Sequence, residues 1–200
     1  MQAQVAIVDS GGANIASLRF ALERLGVDAE LTSDPLTIRD ASHVILPGVG
    51  AAAAAMARLY GAGLTGLLPE LTQPVLGICL GMQLLAAASE EDDAACLGIL
   101  PGTARRLAAS PGTPVPHMGW SRISKTGDHV LLDGIDDGSW FYFVHSYALP
   151  ADATSIATAT HGNEFCAVAS CRNFHAAQFH PERSAAAGAR LLDNFVRMQP

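Results

Sequence analysis

Charge is scarce in this chain: 16% of its 200 residues are charged, and the 12 basic ones form no cluster. With 19 acidic residues setting a formal net charge of −7, nothing is available to neutralise a run of phosphates, which excludes nucleic acid as the main partner. Long apolar runs are missing too. No stretch approaches the roughly 18 residues a membrane helix needs, and the segment from Met1 to Asp9 has no charged leader or signal-length apolar core. Together these absences predict a cytoplasmic protein with no membrane contact. The four cysteines, at 79, 96, 166 and 171, never stand as Cys-x-x-Cys, and the seven histidines never stand as His-x-x-x-His. That spacing predicts free thiols and no metal site. The first glycine-rich loop, Asp9-Ser10-Gly11-Gly12-Ala13-Asn14, lacks the Gly-x-Gly-x-x-Gly spacing of a dinucleotide site, and no cofactor is expected.

What is present is a chain that is 50% hydrophobic, enough for one compact domain, 1–200, with a substantial core. Residues 4–8 read as a buried parallel strand. Behind the loop that follows, Ile15, Leu18, Leu22 and Leu25 recur at three- and four-residue steps, an amphipathic helix that Gly26 is placed to end. Further strands follow at 27–31, at 43–46 and just before Cys79, with a helix from Ala51 through Leu59 between the last two. Repeated strand, helix, strand predicts an α/β fold: an open, mostly parallel central sheet with helices on both faces. From Leu97 onward proline and glycine are more frequent and apolar runs shorter, which predicts an additional short-stranded antiparallel region. Within it, 140–144 is the strongest strand by aromatic and β-branched content, and 165–169 and 174–179 form a late pair. Ser184 is a candidate helix cap, ahead of a final helix whose apolar side is Leu191, Leu192, Phe195 and Val196.

The stretch Gly77-Ile78-Cys79-Leu80-Gly81-Met82-Gln83 joins an apolar, strand-like run to a segment of helical composition, Leu84 to Ala88. Cys79 therefore belongs on a strand-to-helix turn. Glycine two residues to either side permits a sharp, strained turn and close packing of helix on sheet, the pattern of a nucleophile elbow with cysteine in place of serine. At the first turn of a helix a thiol meets the positive end of the dipole, which favours the reactive thiolate. Gln178-Phe179-His180-Pro181-Glu182 supplies an imidazole at a strand end and a carboxylate two residues on to hold its tautomer. That is the pairing a nucleophilic thiol needs for proton transfer. Parallel sheets bind ligands beyond the carboxyl ends of their strands, so the loop Pro47-Gly48-Val49-Gly50 should converge on the same crevice. Its backbone N–H groups and that of Leu80 are placed to form an oxyanion hole.

These three motifs, in this order and rough spacing, resemble those of the class I (triad) glutamine amidotransferases. Pro116-His117-Met118-Gly119-Trp120 and Tyr142-Phe143-Val144-His145-Ser146-Tyr147 are similar to segments of the glutaminase subunits of imidazole glycerol phosphate synthases. With the Asn14 loop, the resemblance covers nearly the whole chain. It implies hydrolysis of L-glutamine to L-glutamate and ammonia, with the ammonia passing through a tunnel to a separate (β/α)8-barrel cyclase subunit. It further implies Cys79 as nucleophile, His180 as base and acid, and Glu182 as the group that orients it. Gly50, Gln83, Ser146 and Tyr147 match positions that bind glutamine, and Val49 matches the oxyanion loop. Asn14, Trp120, Tyr142 and Arg183 match the face docked against the cyclase. The chain departs from the usual pattern at Ala13, where glycine is usual, and at Ala51 for an aromatic, Ser121 for an asparagine and Arg183 for a lysine; none of these touches the triad. The nearest alternative is the glutaminase of another amidotransferase, such as anthranilate or aminodeoxychorismate synthase.

Overall fold

The computed structural model describes residues 4–11 and 15–199. Its strands are β1 (Gln4–Val8), β2 (Asp28–Thr32), β3 (His43–Gly48), β4 (Val75–Cys79), β5 (Ala88–Ser89), β6 (Ala94–Ala95), β7 (Thr103–Arg106), β8 (His117–Lys125), β9 (Trp140–His145), β10 (Tyr147–Ala148), β11 (Ser155–His161), β12 (Asn163–Cys171) and β13 (Phe174–Ala177). The helices are α1 (Ile15–Arg24), α2 (Pro35–Asp40), α3 (Ala52–Gly61), α4 (Leu64–Leu67), α5 (Leu80–Leu85) and α6 (Ala185–Val196). None is long and apolar enough to cross a membrane.

A nine-stranded sheet runs in the order β2-β1-β3-β4-β13-β12-β11-β8-β9. The pairs from β2 to β13 are parallel and those from β13 to β9 antiparallel. The inner parallel strands β1, β3 and β4 are apolar at nearly every position because both of their faces are covered; β4 is buried along its whole length. Val5 and Ile7 of β1 and Ile45 of β3 pack with Leu18 and Leu22 of α1 and with Leu191, Leu192 and Phe195 of α6. Ala6, Val8, Val44 and Leu46 from the same strands pack on the other side with Ala55 and Leu59 of α3, Leu64 of α4 and Leu84 of α5. Helices on both faces of an α/β sheet are thus what the alternation of strand and helix implied.

The antiparallel strands are an extension of the same sheet rather than a region of short strands. Both β8 and β12 run nine residues. A strand with one face toward solvent accepts polar residues at its outward positions, so the apolar run of β8 is broken while the strand continues. A separate four-stranded sheet, β10-β7-β5-β6, holds the genuinely short strands. The antiparallel half also curls. Although β9 lies at the far end of the order from β13, the N–H of His180 donates to the carbonyl of Tyr142 at 2.9 Å, and the rings of Phe141 and Phe179 stack at 4.0 Å.

Two local expectations are corrected. The alanines after Leu85 do not extend α5, which has six residues. Ala87 instead donates to Gly102 at 3.1 Å, and Ala86 accepts from Gly98 at 2.8 Å, as the chain enters β5. Tertiary hydrogen bonds here override alanine's helical propensity. Ser184 does precede α6, but its side chain makes no capping bond. Its hydroxyl accepts from the N–H of Tyr142 at 3.0 Å and donates to the carbonyl of His180 at 2.7 Å.

Candidate active site

Strands β3, β4 and β13 lie side by side, and their registers match Gly48 with Cys79 and Ala177 with Ile78. Their carboxyl ends therefore finish level. Val49 and Gly50, Cys79 and Leu80, and His180 emerge next to one another, as expected for a parallel sheet.

Cys79 has φ 54° and ψ −110°, a conformation that costs a non-glycine residue about 1–3 kcal/mol and persists only where its surroundings enforce it. The enforcement is close packing. A Cβ on Gly81 would lie 1.8 Å from the carbonyl oxygen of Leu46, and one on Gly77 would lie 2.9 Å from the backbone of Gly81. Only hydrogen fits at either position, and α5 is pressed directly onto β3 and β4. The Cys79 sulfur faces the carbonyl of Val144 at 3.6 Å and the Nε2 of Gln178 at 3.8 Å.

The side chains of His180 and Glu182 are both buried, and His180 Nδ1–H donates to Glu182 Oε1 at 2.8 Å. The His180 ring shares the pocket with the Cys79 sulfur. Burial alone pushes the pKa of this histidine down. The neighbouring Cys79 sulfur and the Glu182 carboxylate outweigh that and raise it to about 10. The site therefore favours an imidazolium held between a carboxylate and a sulfur. Because α5 is only six residues long, this imidazolium, more than a helix dipole, is the positive charge nearest the sulfur.

A pocket of about 250 Å³ opens at this point, lined by Val49, Gly50, Cys79, Leu80, Gln83, Ser146, Tyr147 and His180 together with Glu91, Pro116, Val144 and His145. All six residues expected around the substrate are among them, and Glu182 stands directly behind His180. Gln83 Nε2 donates to the Tyr147 carbonyl at 2.8 Å and to Gln178 Oε1 at 3.2 Å. These two acceptors fix the amide's orientation and leave its carbonyl oxygen as the group it can offer a ligand. Gln178, fully buried, thus connects Gln83 to Cys79; it stands in the His180 motif, but the motif alone gave it no task. Glu91 was not anticipated. Its Oε2 accepts from the N–H of Ala52 at 2.9 Å, a cap for α3 that the side chain of Ala51 cannot provide, and nothing in the sequence sets it apart from Glu90, Asp92 and Asp93.

Of the four residues expected at a docking face, Asn14 lies outside the described residues and the other three meet. Trp120 and Tyr142 pair across β8 and β9 with ring centroids 5.9 Å apart, and the Arg183 guanidinium lies 4.6 Å over the Tyr142 ring. Trp120 is 49% and the nearby Met118 64% exposed, a large apolar presence for a surface. This cluster adjoins the pocket through Arg183, which directly follows Glu182. Among the described residues, no group of three or more His, Cys, Asp or Glu side chains is arranged to hold a metal ion.

Residues 6–198 match the family model for glutamine amidotransferase class-I, and the chain belongs to that family. Within it, the chain is 52% identical over 194 residues, 97% of each sequence, to the imidazole glycerol phosphate synthase subunit HisH of Xanthomonas axonopodis pv. citri. It is 50% identical over 195 residues, 98% of each, to the protein of the same description from Xylella fastidiosa strain Temecula1. Among solved structures, one described as a glutamine amidotransferase superposes with a TM-score of 0.75 at 18% identity, covering 96% of both chains. A chain of the PurLQS structure from Thermotoga maritima gives 0.68 at 15% identity, covering 98% of both. At these identities the structural likeness is one of fold.

Proposed function

We propose that this chain is the glutaminase subunit of an imidazole glycerol phosphate synthase. Acting as one domain in the cytoplasm and without a cofactor, it hydrolyses L-glutamine to L-glutamate and ammonia. The ammonia passes to a separate (β/α)8-barrel cyclase subunit, its partner in a heterodimer, which uses it to form imidazole glycerol phosphate in histidine biosynthesis. The observation that carries this reading is the level ending of β3, β4 and β13, which gathers the Val49–Gly50 loop, Cys79 and His180 around one small pocket.

In that pocket the Cys79 sulfur attacks the side-chain carboxamide carbon of glutamine. The negative charge that develops on the carbonyl oxygen is met by backbone N–H groups of Leu80 and the Val49–Gly50 loop, donors worth about a hundredfold or more each. His180 gives its proton to the departing nitrogen, ammonia leaves, and an acyl thioester to Cys79 remains. Water then attacks the thioester as His180 takes its proton, releasing glutamate and returning the sulfur and the protonated imidazole to their starting state. Glu182 keeps the imidazole in one tautomer throughout. Glu91 and the carbonyl oxygen of Gln83 suit the substrate's α-ammonium group. The exposed cluster of Trp120, Tyr142 and Arg183 suits a docking face, since aromatic and arginine side chains dominate the energetics of such surfaces.

The test is glutamate release by the full chain, alone and with its barrel subunit loaded with nucleotide. The expected result is a low rate alone and a large rise in the complex. Full-rate ammonia release by the chain alone would remove the coupling, and association with a different synthase would reassign the product.

A further inference from the structure

Behind the wall formed by Ser146 and Tyr147, three hydrogen bonds run in series. His145 Nδ1 lies 2.9 Å from the carbonyl oxygen of Tyr147, His145 Nε2 lies 3.0 Å from His117 Nδ1, and His117 Nε2 lies 2.8 Å from Ser121 Oγ. One end fixes the direction of all three. A carbonyl only accepts, so His145 carries a proton on Nδ1. Both rings are buried in surroundings that disfavour charge: His117 stacks on Phe143 at 4.9 Å, and His145 meets Phe165 edge-on at 5.0 Å. Burial accordingly pushes the pKa of His117 down to about 4 and that of His145 to about 3. A neutral His145 protonated on Nδ1 has a bare Nε2, which can only accept. His117 must therefore donate from its own Nδ1, which leaves its Nε2 bare to accept from the Ser121 hydroxyl. His161 closes the arrangement by stacking on the His117 ring at 4.2 Å while bonded to the carbonyl of Pro114 at 2.7 Å.

We propose that His117, which does not line the pocket, is a positioning residue for the glutaminase reaction: its Nδ1–H satisfies the bare Nε2 of the buried His145 and so keeps that ring, as the Nδ1–H tautomer, against the Tyr147 carbonyl and with it the amide of Gln83. This rests on the function proposed above. With the opposite tautomer, the bare Nδ1 of His145 would face the Tyr147 carbonyl, acceptor against acceptor. The carbonyl would turn away, and Gln83 would lose one of the two acceptors that orient it. Neither histidine moves a proton in the reaction. Their effect is on the shape of the site that receives glutamine.

Two measurements test this. Long-range nitrogen–proton NMR correlation on the full chain at neutral pH should find both rings neutral with the proton on Nδ1; either ring charged or protonated on Nε2 overturns the proposal, whatever the activity. In the complex with the barrel subunit, His117→Leu should raise KM for glutamine about tenfold with kcat within about threefold. His117→Asn, whose amide N–H can replace the Nδ1 donor, should return KM to within about threefold of wild type. Unchanged KM in His117→Leu, or equal damage in both variants, would overturn the proposal. A wild-type complex that releases no glutamate would instead defeat the glutaminase reading, and the tautomers would still decide the relay.

Discussion

Strands β3, β4 and β13 of the parallel half and strands β8 and β9 of the antiparallel half reach the same pocket and bring different things to it. The parallel strands contribute through their backbones: level ends, a residue held at positive φ, and an approach between α5 and β3 so close that only glycine fits. The antiparallel strands contribute side chains besides the Val144 carbonyl that faces the sulfur. Their inward face supplies His117, Phe143 and His145, and their outward face supplies Trp120 and Tyr142. A fully covered parallel sheet can afford strain because burial on both faces over-determines it. A sheet with one open face is free to place recognition there.

The widest separation between the halves should come from Cys79→Ser. In the complex, glutamine-dependent synthesis should fall by about a thousandfold or more, while ammonium salts sustain the cyclase; equal loss with both nitrogen sources would mean that damage had spread beyond the sulfur. Glu182→Gln removes the carboxylate that orients His180 and should lower kcat by about a hundredfold or more with the fold intact by circular dichroism. Gly81→Ala tests the backbone contribution directly. Its Cβ would meet the Leu46 oxygen at 1.8 Å, and denaturant titration should show a loss of about 3 kcal/mol or failure to fold. On the other half, Trp120→Ala should weaken affinity for the barrel subunit by about tenfold while barely moving the unfolding midpoint, as read by titration calorimetry and by melting of the free chain.

A further effect is one of pH, spread over both halves. His117, His145 and His175 have folded-state pKa values of about 4, 3 and 4, below the ordinary 6.5, chiefly because burial penalises their charged forms. Between those values the unfolded chain binds more protons than the folded one, so stability rises with pH. The contribution is fully present above about pH 6.5 and is lost on acidification toward pH 4, at up to roughly 1 kcal/mol per histidine per pH unit. Urea midpoints measured from pH 7 to pH 4.5 should show this slope, and His175→Phe should make it shallower.

How far the site can be read from sequence follows the same division. Cys79, His180 and Glu182 stand out because what positions them is local: glycines two residues away, a proline between base and acid, and an apolar run that ends where the chemistry begins. Val49 and Gly50 follow from the topology of a parallel sheet. What Gln178 and Glu91 do stays hidden, because each acts on a partner far along the chain. Glu91 caps a helix 39 residues earlier, and Gln178 reaches Gln83 across 95. The extent of β8 is obscured for a related reason, since the polar character of its alternate positions depends on which face the fold leaves open. Alanine after Leu85 misleads because propensity carries no information about the carbonyl of Gly102.

Ser184 restricts what can change at this site. Both main-chain polar groups of Tyr142 are committed to the segment carrying His180, the carbonyl through the His180 N–H and the N–H through the Ser184 hydroxyl, which also satisfies the His180 carbonyl. A single buried atom must donate and accept at once, which a hydroxyl does and an apolar side chain at position 184 could not. Any sliding of the edge strand then drags the imidazole with it, and the two can drift only as a unit through the history of the chain.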